Sequence, residues 1–308
     1  MKFLERAMKN KSGETKLSGG ERAALVEGIT QNASLLDGVR VYDMMRDRLE
    51  MPVLKVGSGT SEYTSMFLTA TKLCLPWSIT DEFLEGSGRP KSVLFDMIAK
   101  TMSTQAANGI EDLAINGDEE STDALLRAQD GWLKKATQKR IITWKRTEVN
   151  EQDVRKALKS INPLYRHGLR AYTSHDLEMD IMVERAGEYR LNFAGPAGVD
   201  ILGVPVKAVA YMPKTSVLLA NPDSLVLGVR DEVSCSARKA EAPFEQGGLP
   251  RGETRFLLTM RLGFAIQNTD SVVHVYAVPV KVALAEWACA TKTRFVSWVR
   301  RVTRRSKA

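Results

Sequence analysis

From Lys91 to Ile115 the apolar and small residues fall at Val93, Leu94, Met97, Ile98, Thr101, Met102, Gln105, Ala106, Gly109, Ile110, Leu113 and Ala114. Steps of three and four put these positions on one face of a helix and leave the opposite face polar. Pro90 and Ser92 stand where such a helix begins, and Asn116-Gly117 supplies residues that tolerate the left-handed conformation at its end. At 1.5 Å per residue it runs roughly 35 to 40 Å, well beyond the average globular helix of about 11 residues. An element of that length serves as a strut.

Upstream, Ser18 starts a second helix extending to about Leu36, followed by another amphipathic piece over Val39–Leu49. Met1–Thr15 has little apolar pattern and is expected to be mobile or to gain order only from a neighbour. Two β-type runs, Val53–Val56 and Met66–Leu73, flank GSGTSEYTS, which predicts a hairpin with a polar, glycine-containing tip. A two-stranded hairpin is marginally stable alone in water, so a projecting one is expected to be ordered by an adjacent molecule. Gly86-Ser87-Gly88-Arg89-Pro90 then turns the chain into the long helix.

Downstream, helical stretches at Asp123–Thr137 and Asn150–Lys159 alternate with extended runs at Ile141–Trp144 and Leu169–Thr173, the signature of a mixed α/β unit. Ser174 is placed to cap another helix, with Asp176 favourable in its first turn. The glycine-rich stretch Glu188–Gly203 reads as a loop, and β-type segments dominate Ile201–Ala237 and Thr254–Val280. No internal repeat or low-complexity segment is present.

A chain of 308 residues with 44% hydrophobic content is long enough for one large domain or two closely joined ones. No apolar run approaches the roughly 18 residues a spanning helix needs, and MKFLERAMKNKSGE lacks the apolar core of a secretory signal. The chain is therefore expected to stay in the cytoplasm. Cys74, Cys235 and Cys289 are odd in number and widely spaced, which points to buried free thiols rather than a disulfide framework.

The net charge of +7 is unevenly placed. Lys292, Arg294, Arg300, Arg301, Arg304, Arg305 and Lys307 lie in a terminal stretch without acidic residues, and the rest of the chain has equal numbers of basic and acidic side chains. Trp287, Thr291, Phe295, Trp298, Val299 and Val302 fall on one stripe there, predicting a basic amphipathic helix over Leu284–Arg304. Three uses stand open: neutralising DNA phosphates without reading bases, lying on an anionic membrane, or packing on the subunit's own body with solvated arginines.

Residues that could carry catalysis have simpler readings. Leu17-Ser18-Gly19-Gly20-Glu21 copies a transporter ATPase signature, but no GxxxxGK[ST] accompanies it, so it reads as a turn and helix cap. Gly57-Ser58-Gly59-Thr60 lacks a third glycine and a following helix, so it is a hairpin tip rather than a dinucleotide loop. His167, His175 and His274 have no cysteine at zinc-ligand spacing. Ser174-His175-Asp176 contains triad residue types, yet triads converge from separate elements. No metal, cofactor or enzymatic activity is expected.

Three segments carry a resemblance: DEESTDALLRAQDGWLKKA directly after Gly117, ILGVPVKAVAYMPKTSVLLANPDSLVLGVRDEVSCSA, and TRFLLTMRLGFAIQNTDSVVHVYAVPV. In order and spacing they are similar to tailed-phage major capsid proteins of the Hong Kong 97-type fold, over roughly Leu17–Val280; encapsulins share that fold. The resemblance implies an α+β subunit with an N-terminal arm (1–50) and an extended hairpin loop (51–76). It further implies a peripheral domain (77–120 and 217–283) holding the spine helix and its sheet, an axial domain (121–216), and the basic tail (284–308). The loop residues expected to meet a neighbouring subunit are Lys55, Gly57, Gly59, Glu62, Tyr63 and Lys72. Some members of the fold weld neighbours through a Lys–Asn isopeptide bond, for which Lys55 or Lys72 and Asn268 have the residue types. The implied partners are further copies in pentamers and hexamers, a portal protein, scaffolding and decoration proteins, and packaged double-stranded DNA held non-specifically. With almost no room before the arm for a scaffolding extension, a separate scaffold, or none, is implied. The expected location is the virion capsid, assembled in the bacterial cytoplasm. An encapsulin-like nanocompartment and a peripheral membrane-binding protein are the alternatives.

Overall fold

The long helix predicted at Lys91–Ile115 is present as α4 (Lys91–Asn116), 26 residues in a computed structural model. The structure describes residues 3–10, 14–56, 61–86, 88, 90–136, 140–144, 151–189, 200–201, 203–241 and 252–278. The inner face of α4 buries Leu94, Phe95, Ile98, Ala99, Met102, Ala106, Ala107, Ile110, Leu113 and Ala114 in the main core; it overlaps the face expected from the periodicity but is rotated from it, since Val93, Met97, Thr101 and Gln105 are exposed and Phe95, Ala99 and Ala107 are buried in their place. Its end departs from expectation. Gly117 has φ −52°, so the helix does not close in a left-handed turn. Glycine is required there by close approach: a Cβ would lie 2.3 Å from the Gln129 carbonyl oxygen and 2.9 Å from the Gly131 nitrogen.

Two helices open the described chain. In α1 (Phe3–Lys9), Phe3, Leu4 and Ala7 are buried in the main core, so this segment is ordered within its own chain and corrects the expectation for Met1–Thr15. Seven residues are too few to show a helical period, but one apolar triplet suffices to dock them. In α2 (Gly19–Asn32), Ser18 and Glu21 form a reciprocal capping box, and Leu25 and Ile29 face the core. Glu111 of α4 is almost fully buried and accepts hydrogen bonds from the Leu35 amide (2.5 Å) and Ser34 Oγ (2.9 Å), fixing the chain just after α2 to the spine.

The amphipathic piece expected over Val39–Leu49 is extended rather than helical. It forms β2 (Arg40–Met44) and the start of β3 (Arg48–Val56). Helical and strand periods are hard to separate over so few residues, and pairing with a waiting sheet edge decides the outcome. β3 pairs with β4 (Ser61–Thr69) in a two-stranded antiparallel hairpin, running from Arg48 opposite Thr69 to Val56 opposite Ser61. The next strand, β5 (Thr71–Thr80), leaves the hairpin and pairs along its whole length with β13 (Gly252–Ile266). Lys72 and Leu73, expected on the hairpin, therefore belong to another sheet. The break falls at Ala70, whose N–H donates to the Asp47 carbonyl at 2.7 Å and closes the hairpin base.

The remaining described strands make two six-stranded sheets. The first contains β1 (Thr15–Lys16), β12 (Ser234–Glu241), β13, β11 (Leu225–Arg230) and β2 in that order, with β5 also on β13; a short helix, α3 (Asp81–Gly86), leads from β5 toward α4. The second runs β6 (Arg140–Trp144), β14 (Val272–Val278), β10 (Ser216–Ala220), β7 (Arg170–Thr173), β9 (Val204–Ala208) and β8 (Asp200–Ile201). This corrects the expected domain ranges, because 217–283 does not form one sheet: β10 and β14 lie in the second, β11 to β13 in the first. The chain crosses between them twice through similar turns. Asn221 Oδ1 accepts from the Asp223 amide at 3.0 Å, and Asn268 Oδ1 accepts from the Asp270 amide at 3.0 Å. The two crossovers are joined where Ser271 Oγ meets Ser224 Oγ at 2.6 Å in a buried contact.

The second sheet is buried on both sides. Leu218, Ala220, Tyr172 and Val272 face the main core, while Val217, Leu219, Ala171, Val273 and Val275 face a second core. That second core is covered by α6 (Glu151–Ser160) and α7 (His175–Tyr189), and Ser174 Oγ accepts from the Leu177 amide at the start of α7, as expected of a cap. α7 extends to Tyr189, inside the stretch read as a loop. Residues 121–136, assigned above to the axial unit, instead pack on β13: Trp132, on the short helix α5 (Trp132–Lys135), donates from Nε1 to the Ala265 carbonyl at 3.0 Å, and Gln129 Nε2 donates to the Leu262 carbonyl at 3.3 Å. A buried indole must find an acceptor, and the strand carbonyls supply it.

Candidate assembly surfaces

The β3–β4 hairpin is the only described sheet with two strands, and its root is heavily anchored. Met51 and Leu68 are buried with Met44, Ala70, Val226 and Ala265 in a small apolar cluster of their own. Beneath it, Gly263 near the end of β13 leaves room for the hairpin backbone: a Cβ there would fall 2.2 Å from the Thr69 carbonyl oxygen. Gln267 Nε2 adds a hydrogen bond to the Pro52 carbonyl at 3.1 Å.

Charge completes the anchor. Asp47, at the turn into β3, binds Arg261 of β13 at 2.5 Å and also pairs with Arg230 of β11. The hydrogen bond from Arg261, supported by Arg230, holds the Asp47 carboxyl below the usual aspartate range. The base of the hairpin is thus clamped to two neighbouring strands. On its outer side Phe67 is half exposed, with the Arg48 guanidinium 3.6 Å above its ring. Met45 is 86% exposed beside the root. A rigid stem carrying exposed apolar groups suits contact with another molecule.

Of the loop residues singled out by sequence, Lys55 stands opposite Glu62 in the ladder and Tyr63 opposite Leu54. Gly57 and Gly59 lie outside the described residues. Lys72 pairs with Arg261 in the first sheet, away from the hairpin ladder. Asn268 shapes its own turn, as described above. The basic residues Lys292, Arg294, Arg300, Arg301, Arg304, Arg305 and Lys307 all lie outside the described residues, as does Cys289. Cys235 is buried, and desolvation pushes its thiol up to about 12, whereas Cys74 is exposed, against the expectation of buried thiols. Asp47, Arg230, Arg261 and Gly263 were not singled out by sequence. A glycine inside an otherwise apolar strand was the available signal, since it marks close approach of another backbone.

Two further apolar exposures lie around the start of the spine: Phe83 of α3, and Val93 with Met97 one turn apart on α4. Ser174, His175 and Asp176 do not converge: Ser174 caps α7, His175 Nδ1 is 3.9 Å from Glu178, and Asp176 pairs with Lys214. His274 is buried with Nε2 3.2 Å from Ser216 Oγ. Among the described residues no group of three or more His, Cys, Asp or Glu gathers in a way that could hold a metal ion, and no helix is long and apolar enough to cross a membrane.

No protein-family model matches the chain. It is 26% identical over 221 residues to YqbE of Bacillus subtilis, described as a prophage capsid protein, covering 65% of this chain and 67% of that one. Among solved structures, a chain of the satellite phage P4 procapsid with its size determination (Sid) protein superposes with a TM-score of 0.60 at 14% identity, covering 91% of this chain and 98% of that one. A chain from Mycobacterium phage Adephagia gives 0.54 at 15% identity, covering 89% and 97%. A virus-like particle from Pyrococcus furiosus gives 0.51 at 12% identity, covering 82% and 96%.

Proposed function

We propose that this chain, which has the fold of phage capsid subunits, is the major capsid protein of a tailed phage or prophage, self-assembling into an icosahedral head around double-stranded DNA. The observation that carries the shell-subunit part of this reading is the agreement in fold with a procapsid chain along nearly the whole length of both. Likeness in sequence to a prophage capsid protein points the same way. The Pyrococcus particle supports a second reading, a nanocompartment holding a protein cargo. Fold is common to both readings, so the sequence relative decides in favour of the phage.

The mechanism is geometric rather than chemical. The spine α4 and the two sheets, riveted at their crossovers, form a plate that does not need to change internally. The hairpin Arg48–Thr69 reaches beyond it to adjacent plates, while α2 stays packed on the spine of its own plate. Identical copies joined through unlike patches close into rings of five and six and then into a shell. Separate scaffolding protein directs closure in the host cytoplasm, a portal occupies one vertex, and decoration proteins bind outside. The basic tail 284–308 lies on the inner wall, where its cations neutralise packaged phosphate without reading sequence. No group-transfer step enters this mechanism, and the subunit acts as a structural protein.

Electron microscopy of particles from cells expressing the chain with its phage's scaffold tests the proposal. Closed shells of uniform size are expected. Discrete monomers in the presence of scaffold would overturn it, and shells filled with one protein and no nucleic acid during infection would replace it with the nanocompartment.

A further inference from the structure

The two helices over the second core present stripes of equal spacing and opposite character. On α6, Val154 and Ala157 turn into the core, joined by Ile161 just past its end, and Gln152, Arg155, Lys156 and Lys159 form an exposed stripe. On α7, Leu177 and Ile181 pack inward, and Asp176, Met179, Asp180 and Val183 are exposed, with Met179 at 64% and Val183 at 65%. Both sets follow i, i+3, i+4, i+7, so each is one continuous line about 10 Å long. The helices lie at opposite ends of the sheet: α6 over β6, β14 and β10, and α7 over β9.

We infer that these lines are the two halves of one contact, the α6 stripe of one copy docking on the α7 stripe of the next. This rests on the shell-subunit reading and names the surfaces by which copies join in a ring. The occupant follows from charge and shape. Met179 and Val183 need apolar cover, and the methylene stems of Lys156 and Lys159 provide it while their ammonium groups reach the carboxylates alongside. Basic and acidic lines on different ends of one unit cannot meet face to face with themselves, so the contact is head to tail and can close a ring. Within each chain some charges are already engaged: Lys156 lies 3.5 Å from Asp153, and Asp176 pairs with Lys214. Lys159 and Asp180 are therefore the pair to exchange.

The experiment compares Lys159→Glu, Asp180→Lys and the double variant, each first shown by thermal unfolding to fold as the unaltered subunit does. The concentration needed to form shells with scaffold is then measured. Each single variant is expected to raise it roughly tenfold, as expected when repeated charge contacts turn repulsive, and the double variant to restore it. Single variants that assemble normally would overturn the inference, as would a folded double variant no better than the singles. Single variants that form normal shells with less nucleic acid inside would assign the α6 stripe to nucleic acid and also overturn it. Failure of the shell reading itself gives a different result, an unaltered chain that forms no shell.

Discussion

Asp47 and Gly263 define how the hairpin is held, and each has a measurable signature. Asp47 is charged only above its depressed folded pKa, and its bonds to Arg261 and Arg230 require that charge. A carboxyl with a lowered folded pKa contributes stability that is present above the unfolded value of about 3.9 and lost as pH falls through the folded value. The clamp is therefore intact at neutral pH and released in strong acid, below about pH 4. Hydrogen exchange should then accelerate at Arg48–Thr69 before the spine, and Asp47→Asn should show that acceleration already at neutral pH. Gly263→Ala should cost about 2 to 3 kcal/mol of subunit stability in denaturant titrations, because the clash is with backbone, which cannot rotate away.

Among the elements, α4 joins the parts that sequence made legible to those it did not. Its extent was readable because 26 residues give seven turns of consistent period. Ser18, Ser174 and the strands near Ile141 and Leu169 were readable for a similar reason, since caps and short β-branched runs carry local signals. The division of strands between two sheets was not, because alternation says which face is buried and nothing about which neighbour buries it. The hairpin boundary was missed for a related reason: Met66–Leu73 reads as one β-type run, and only the long-range pairing of β5 with β13 splits it. Glu111 was invisible too, a carboxylate inside a helix whose partners lie 76 and 77 residues away. Glu111→Ala should destabilise the subunit by about 1 to 3 kcal/mol by leaving the Leu35 amide buried without an acceptor. Ser18→Ala should cost only about 1 kcal/mol, and the ordering of these two losses in thermal unfolding checks the assignment.

For the whole molecule, the account separates folding of the plate from joining of plates. Deleting Gly57–Ser65 removes the outer hairpin while sparing Met51 and Leu68 at its root, so the subunit should fold with little loss of stability yet fail to form shells. Replacing the arginines of 284–308 by glutamine should leave empty shells unaffected and lower the yield of genome-filled ones, read as the ratio of light to heavy particles in a density gradient. The most direct measurement is a cryo-electron microscopy reconstruction of the assembled particle at a resolution that traces β3 and β4. The account predicts a closed icosahedral shell in which the hairpin Arg48–Thr69 lies across the plate of an adjacent subunit. A shell whose hairpins all fold back on their own subunits would contradict it.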